Sequence, residues 1–217
     1  MTTPPPRMWV SFLLKNDYER WRATNREAET RDTFYTVQAI KMIRGSPVSD
    51  FAPGDEIVRV CSNLPVTTLS ERSNVLSGCT QHLNYTSEAQ RSHLTEISLK
   101  EIPSSEQPVT VLIPIRKLDA WWNLALNTRF ELMNGSKETR GHTAIGEEFA
   151  SVIFRQLLHA RYLDSSKKNY DFLTYFEFKD SEKESFEALL KKLRDTALNS
   201  EWQFVDNEQE IWMRKIP

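Results

Sequence analysis

Apolar positions along this chain first fall into short runs rich in branched and aromatic side chains. Met8 to Leu14, Thr33 to Ile43, Glu56 to Cys61 and Asn74 to Leu83 are such runs, and Gly45-Ser46-Pro47 and Pro53-Gly54 punctuate them. Val, Ile, Phe and Tyr suit a pleated, half-buried surface, so the first half predicts a small meander of strands joined by turns. Asn16 to Arg31 is so charged, with Trp21 nearly its only anchor, that a solvated helix and a long turn fit it equally.

Further on the period lengthens. Thr86 to Leu99 is polar with alternating charge and predicts an exposed helix. Val109 to Ile115 is a continuous apolar run of strand length, which Pro114 should confine to a sheet edge or a strand end. A Trp-rich segment, Leu118 to Leu126, begins another helix that Asn134-Gly135 breaks. From Gly141 to Asp164, Ile145, Phe149, Val152, Ile153, Leu157 and Ala160 recur at three- and four-residue steps, predicting one long amphipathic helix with Glu147, Glu148 and Arg161 on its far side. Phe172 to Phe178 reads as a strand. Ser181 with Glu184 forms a capping box opening the helix of Phe186, Leu189, Leu190 and Leu193, and Trp202 to Met213 is the last strand. The order from about Asn74 is of the β-α-β-β-α-β kind: an α+β fold with an antiparallel sheet and helices on one face, elaborated in the middle.

Composition adds mainly exclusions. The 217 residues suffice for one generous domain or two small ones. With 39% hydrophobic residues, 27% charged and a formal net charge of −2, neither nucleic acid nor an acidic membrane is expected as partner. Six glycines and no Gly-rich phosphate loop remove the main support for nucleotide binding. Cys61 and Cys79 lie too far apart for a C-x-x-C pair, and two cysteines do not make a disulfide framework, so a reducing, cytoplasmic setting is expected. The first residues, with three prolines and a short apolar run, are well short of the roughly 20 that cross a bilayer and read as a loose tail into a strand. Asn84-Tyr85-Thr86 and Asn134-Gly135-Ser136 match the glycosylation pattern by chance.

Among four histidines, His142 follows a chain break at the mouth of an apolar helix face, where a neutral imidazole could bind a metal or haem iron; a solvated or capping role fits the spacing as well. His82, His93 and His159 have no zinc-like partners in sequence. Arg155 interrupts the apolar run Val152-Ile153-Phe154, either snorkelling, pairing with Glu148 or Glu177, or serving a ligand. On one continuous helix, His142 and Arg155 would stand about 20 Å apart along the axis and roughly 220° around it, reaching a shared ligand only from opposite sides. Arg116, Lys117, Trp121 and Trp122 directly follow a strand. They suit either core and surface, or a flat, apolar cofactor bearing carboxylates. No order of residues supports a Ser-His-Asp or Cys-His nucleophile.

Taken together, IPIRKLDAWW (Ile113 to Trp122), HTAIG (His142 to Gly146), Arg155, YDFLTYFEF (Tyr170 to Phe178) and LRDT (Leu193 to Thr196) with Glu201-Trp202 make the chain resemble the chlorite dismutase family of haem b proteins. The resemblance runs from about Val75 to Lys215 and is faint before residue 75. It implies a ferredoxin-like dimeric α+β barrel. Residues 1–72 would be a truncated N-terminal β-rich part, and 73–217 the haem-binding ferredoxin-like half, as in the short-chain, homodimeric branch. It further implies His142 as proximal iron ligand, Arg155 as distal arginine, Lys117, Trp121 and Trp122 lining haem b, Tyr85 near the propionates, and Arg116 among the haem-binding cations. Glu201 would back the histidine. The implied reaction converts chlorite to chloride and dioxygen without net redox change, Arg155 holding the anionic substrate, chlorite or peroxide. Two departures stand out. Ala197 to Asn199 are inserted before Ser200-Glu201-Trp202, and Asn84 replaces an arginine usual beside the tyrosine. The alternatives are a coproheme decarboxylase-like relative, which has glutamine where Arg155 stands, and a non-enzymatic haem-binding or sensing protein, or a barrel that has lost haem.

Overall fold

In a computed structural model, residues 9–63, 66, 75–80, 87–136, 139–161 and 170–217 are described. Their strands are β1 (Trp9–Leu14), β2 (Thr30–Arg44), β3 (Glu56–Ser62), β4 (Val75–Cys79), β5 (Val109–Lys117), β6 (Phe154–His159), β7 (Phe172–Phe178) and β8 (Val205–Lys215). The helices are α1 (Lys15–Thr24), α2 (Glu88–Ile97), α3 (Asp119–Trp122), α4 (Leu126–Asn134), α5 (Gly141–Glu147) and α6 (Lys183–Leu193).

The strands close into an antiparallel barrel in the order β1-β3-β2-β8-β5-β7-β6-β4. This ring is two copies of one ferredoxin-like order, β4-β1-β3-β2 and β8-β5-β7-β6, so each half of the chain contributes four strands. One junction is long, β2 pairing with β8 from Tyr35–Lys215 to Arg44–Glu208. The other is a seam where, among the described residues, β4 meets β6 at Cys79 and His159. At that seam a Cβ on Gly78 would lie 2.7 Å from Leu158 Cβ, so glycine is what lets the two backbones approach.

Alternation along the strands separates two apolar layers. Phe12, Tyr35, Leu112, Leu158, Leu173, Tyr175, Ile211 and Met213 fill the barrel interior. On the outer face of the second half, Val111, Ile113, Phe176, Phe178 and Trp212 pack beneath Phe186, Leu189 and Leu190 of α6 and Ile145 of α5. Outside the first half, Trp21 anchors α1 over Leu13, Val58 and Val60, resolving the charged stretch after Asn16 as a helix on one tryptophan.

Three expectations are overturned. The stretch from Gly141 to Asp164 is not one helix: α5 ends at Glu147, the backbone turns through Phe149–Gly146 and Ala150–Glu147 hydrogen bonds, and β6 begins at Phe154. Its apolar spacing satisfied both periods, because Phe154, Gln156 and Leu158 face inward while Arg155 and Leu157 face outward, and runs this short carry either reading. Pro114 lies in the middle of β5, which pairs on both sides, since a closed barrel has no edge. Pro114 is opposite Leu173, and the ladder to β8 steps from Leu112–Ile211 to Ile115–Glu208 with no Cα partners at Ile113 and Pro114, so the missing N–H breaks little. The capping box also fails. Ser181 is consumed in a 3-10 turn, Asp180–Glu182, α6 starts at Lys183 without a side-chain cap, and Ser185 Oγ donates instead to Glu182 at 2.9 Å.

Candidate functional site

The site lies on the outer face of β5–β7, beneath α4 and α5. Gly141 starts α5 with φ +76°, and any Cβ there would fall 2.2 Å from Gly135 N; glycine is required for this tight return. The Gly141 N–H also donates to Leu198 O at 3.1 Å, tying the start of α5 to the segment after α6. That fixes His142 over the sheet. Because the chain doubles back into β6, Arg155 arrives beside it, and the Arg155 Nη2 group hydrogen-bonds His142 Nε2 directly. The separation expected from a single helix does not exist.

A guanidinium only donates, so His142 Nε2 accepts and the ring proton belongs on Nδ1. Nδ1 faces Glu201 Oε2 at 3.4 Å, and Glu201 Oε1 forms an ion pair with Lys117 Nζ. Burial first, then the charges of Arg155 and Lys117, hold the His142 pKa well below that of free imidazole, so the ring is neutral. Burial draws Lys117 down to about 7 against the opposing pull of Glu208 and Asp171. Burial likewise lowers Arg155 to about 10. Among the described residues no carboxylate pairs with Arg155: Glu148 is taken by Arg140 and Lys192, and Glu177 by Lys215. A partly buried cation without a counter-charge, beside a neutral imidazole with its lone pair turned toward the same space, favours an anion.

A cavity of about 210 Å³ opens between α2, α4, α5 and β6, lined by Met133, His142, Gly146, Phe149, Arg155 and Leu157. Two smaller ones, about 50 and 40 Å³, share His142, Arg155, Lys117 and Glu201. The His142–Arg155 contact is thus where three chambers meet. A Cβ on Gly146 would lie 3.2 Å from Arg155 Nη1, so the glycine makes room for the guanidinium.

The predicted residues are not all gathered here. Trp121 is 1% exposed and lines the smallest chamber. Trp122 lines none of the three; it stacks on Phe172 at 5.8 Å, with the Arg161 guanidinium 3.8 Å from its ring centroid. Arg116 is exposed and pairs with Asp206 at 3.4 Å, away from the chambers. Tyr85 and His82 lie outside the described residues. His159 packs edge-on against Phe172 at 5.2 Å. Gln156 points to the opposite face of β6 from Arg155, where its Oε1 accepts from Arg59 Nη2 at 2.7 Å. Sequence reading missed Met133, Asn199 and Asp171, whose Oδ2 accepts from Lys117 N at 2.7 Å. The one sequence signal near Asn199 was the expected departure from the family pattern at Ala197 to Asn199.

No family model matches the chain. A chlorite dismutase from Ideonella dechloratans is 31% identical over 112 residues, covering 51% of this chain and 36% of that relative. The match therefore spans about a third of the relative's length. The dimeric chlorite dismutase of Nitrobacter winogradskyi has a TM-score of 0.66 at 24% identity, over 86% of this chain and 100% of that one. The chain is related to the chlorite dismutases. A chlorite dismutase from Candidatus Nitrospira defluvii has the same TM-score at 18% identity, over 99% of this chain and 93% of that one. At such identities the solved structures show a shared fold, and the closed barrel of this chain is that chlorite dismutase-like fold. No helix among the described residues is long and apolar enough to cross a membrane.

Proposed function

We propose that this chain is a haem b-dependent, chlorite dismutase-like oxidoreductase, with His142 as the iron ligand and Arg155 as the clamp for a small oxyanion. The observation that carries this reading is the direct contact, where three chambers meet, of a neutral, carboxylate-oriented imidazole with a partly buried guanidinium that no carboxylate among the described residues pairs. Haem suits that donor set: a proton on Nδ1 directed at Glu201 leaves Nε2 free for iron, and the carboxylate raises its basicity. Apolar walls from Met133, Phe149, Ile153 and Leu157 suit a flat tetrapyrrole. Haem entry requires Arg155 to leave Nε2, which its four-bond side chain permits.

When bound through His142, haem would supply the oxygen-atom-transfer chemistry that converts chlorite to chloride and dioxygen. The protein's part is positional. Lys117 anchors Glu201, Glu201 fixes the ring of His142, and Arg155, planar and cationic, binds the anion and keeps the reacting fragments together. We assign haem binding to residues 73–217, which carry every residue lining the three chambers, with β4 of that span pairing as the fourth strand of the first half. Residues 1–72 complete the barrel, and a cytoplasmic homodimer completes the reading. Trp121 flanks the haem, with Trp122 and Arg116 outside it.

The coproheme decarboxylase-like alternative loses its residue, because Gln156 is engaged with Arg59 inside the barrel. Haem-loaded protein should show a Soret band that His142→Ala abolishes, and an unchanged spectrum in that variant refutes the ligand. Oxygen release from chlorite, followed with an electrode, should be strong in the wild type and fall about 10²–10³-fold in Arg155→Ala, the usual loss for one oxyanion donor. A haem-loaded wild type releasing no oxygen would make the chain a haem sensor.

A further inference from the structure

Glu201 is held by more than its ion pair. It is buried, and its Oε2 faces two donors, His142 Nδ1 and Asn199 Nδ2, each at 3.4 Å. Asn199 is itself 1% exposed and fixed at both ends. Its Nδ2 group also donates to Leu193 O at 2.7 Å, at the end of α6, and its backbone N–H donates to Asp195 O at 2.7 Å. With a carbonyl and a carboxylate facing the same end of the amide, that end must be NH₂, since the flipped orientation would set oxygen against oxygen. Asn199 also ends the segment that links α6 to the turn carrying Glu201.

We propose that Asn199 is a positioning residue for the imidazole of His142, acting through Glu201. It ties Oε2 to the end of α6 and so keeps the carboxylate aimed at Nδ1, against the pull of Lys117 on Oε1. The segment between α6 and that turn thereby takes on the task of orienting the ligand's backing group. This inference rests on the proposed role of His142 but is read in the protein without haem.

The test is the tautomer of His142, measured at pH 7.5 from ring ¹⁵N shifts of ¹⁵N-histidine-labelled protein, in an Arg155→Ala background where Glu201 alone selects it. With Asn199 intact the Nδ1–H form should dominate. Asn199→Ala should raise the share of the Nε2–H form relative to Nδ1–H at least threefold, toward the ratio in Glu201→Gln, while Asn199→Ser, which keeps a short donor, should recover part of the difference. If the alanine variant does not fold, Asn199→Leu, similar in shape and lacking both donations, should shift the ratio the same way. A folded Asn199 variant with an unchanged tautomer ratio overturns the proposal. Absence of a Soret band in the wild type would overturn the haem reading while leaving the tautomer result standing. In haem-loaded protein, Asn199→Ala should raise the midpoint potential, a tenfold change in ferric preference corresponding to about 59 mV; no change there would count equally against the proposal.

Discussion

Replacing Gln156 by leucine tests how the barrel holds the strand that carries Arg155. β6 pairs with β7 along its whole length and, among the described residues, meets β4 at Cys79–His159. Across the interior, Arg59 is 1% exposed and reaches Gln156 Oε1 at 2.7 Å and Glu101 Oε1 at 2.8 Å, with its guanidinium 4.4 Å from the Tyr175 ring centroid. Leucine matches glutamine in bulk but accepts nothing, so it leaves a buried, charged donor without that partner. Hydrogen bonds to charged groups contribute about 1.5–3 kcal/mol, which sets the expected loss near 2 kcal/mol. In a chain of this length that lowers Tm by roughly 4–8 °C. Arg59→Met removes the stranded charge, and Glu101 keeps Arg31 and Lys215 as partners. The double variant should therefore be about 1–2 kcal/mol more stable than the sum of the single losses predicts. Urea unfolding followed by circular dichroism supplies all four corners of the cycle. Losses that add to within about 0.5 kcal/mol would refute the cross-barrel tie.

Other outcomes follow from the same geometry. His142 stays neutral in the fold while an unfolded imidazole titrates near 6.5, so stability is complete above about pH 6.5 and falls at lower pH by about 1.4 kcal/mol per unit for this group. His159, also lowered by burial, adds a second share. His142→Gln should remove one share of that slope in unfolding titrations between pH 5 and 6.5, and an unaltered slope contradicts the assignment. Gly78→Ala should cost about 1–3 kcal/mol, since its methyl would strike Leu158 at the seam; a neutral thermal melt would mean that the seam relaxes freely. Gly146→Ala should leave Tm unchanged or raised, alanine being worth up to about 1 kcal/mol in a helix, yet lower chlorite turnover by displacing Arg155; unimpaired oxygen release would show that the guanidinium needs no such room.

Much of the strand pattern was legible because branched and aromatic runs have few other uses: β5 and β7 lie where their apolar runs place them. The stretch after Gly141 was misread for a specific reason. Apolar residues three and four apart are also, over a short span, residues on both faces of a strand buried on two sides, and sequence spacing does not separate the two until the chain is seen to turn after Glu147. The capping box failed similarly, because a Ser-x-x-Glu pattern does not say which turn will consume its serine.

By itself, the sequence determined the residue types a haem site needs, one histidine after a glycine break, an arginine in an apolar run, a lysine and tryptophans after a strand, and their order matched a family pattern. Tertiary structure decided which of them meet. Closure of the barrel turned β6 back so that Arg155 stands against His142, sent its neighbour Gln156 to the interior, left Arg116 and Trp122 outside the chambers and brought Asn199 to Glu201. The physical reason is that a strand's two faces lead to different surroundings. One step along the chain separates a buried cation tie from the proposed anion site, and only the closed sheet says which face is which.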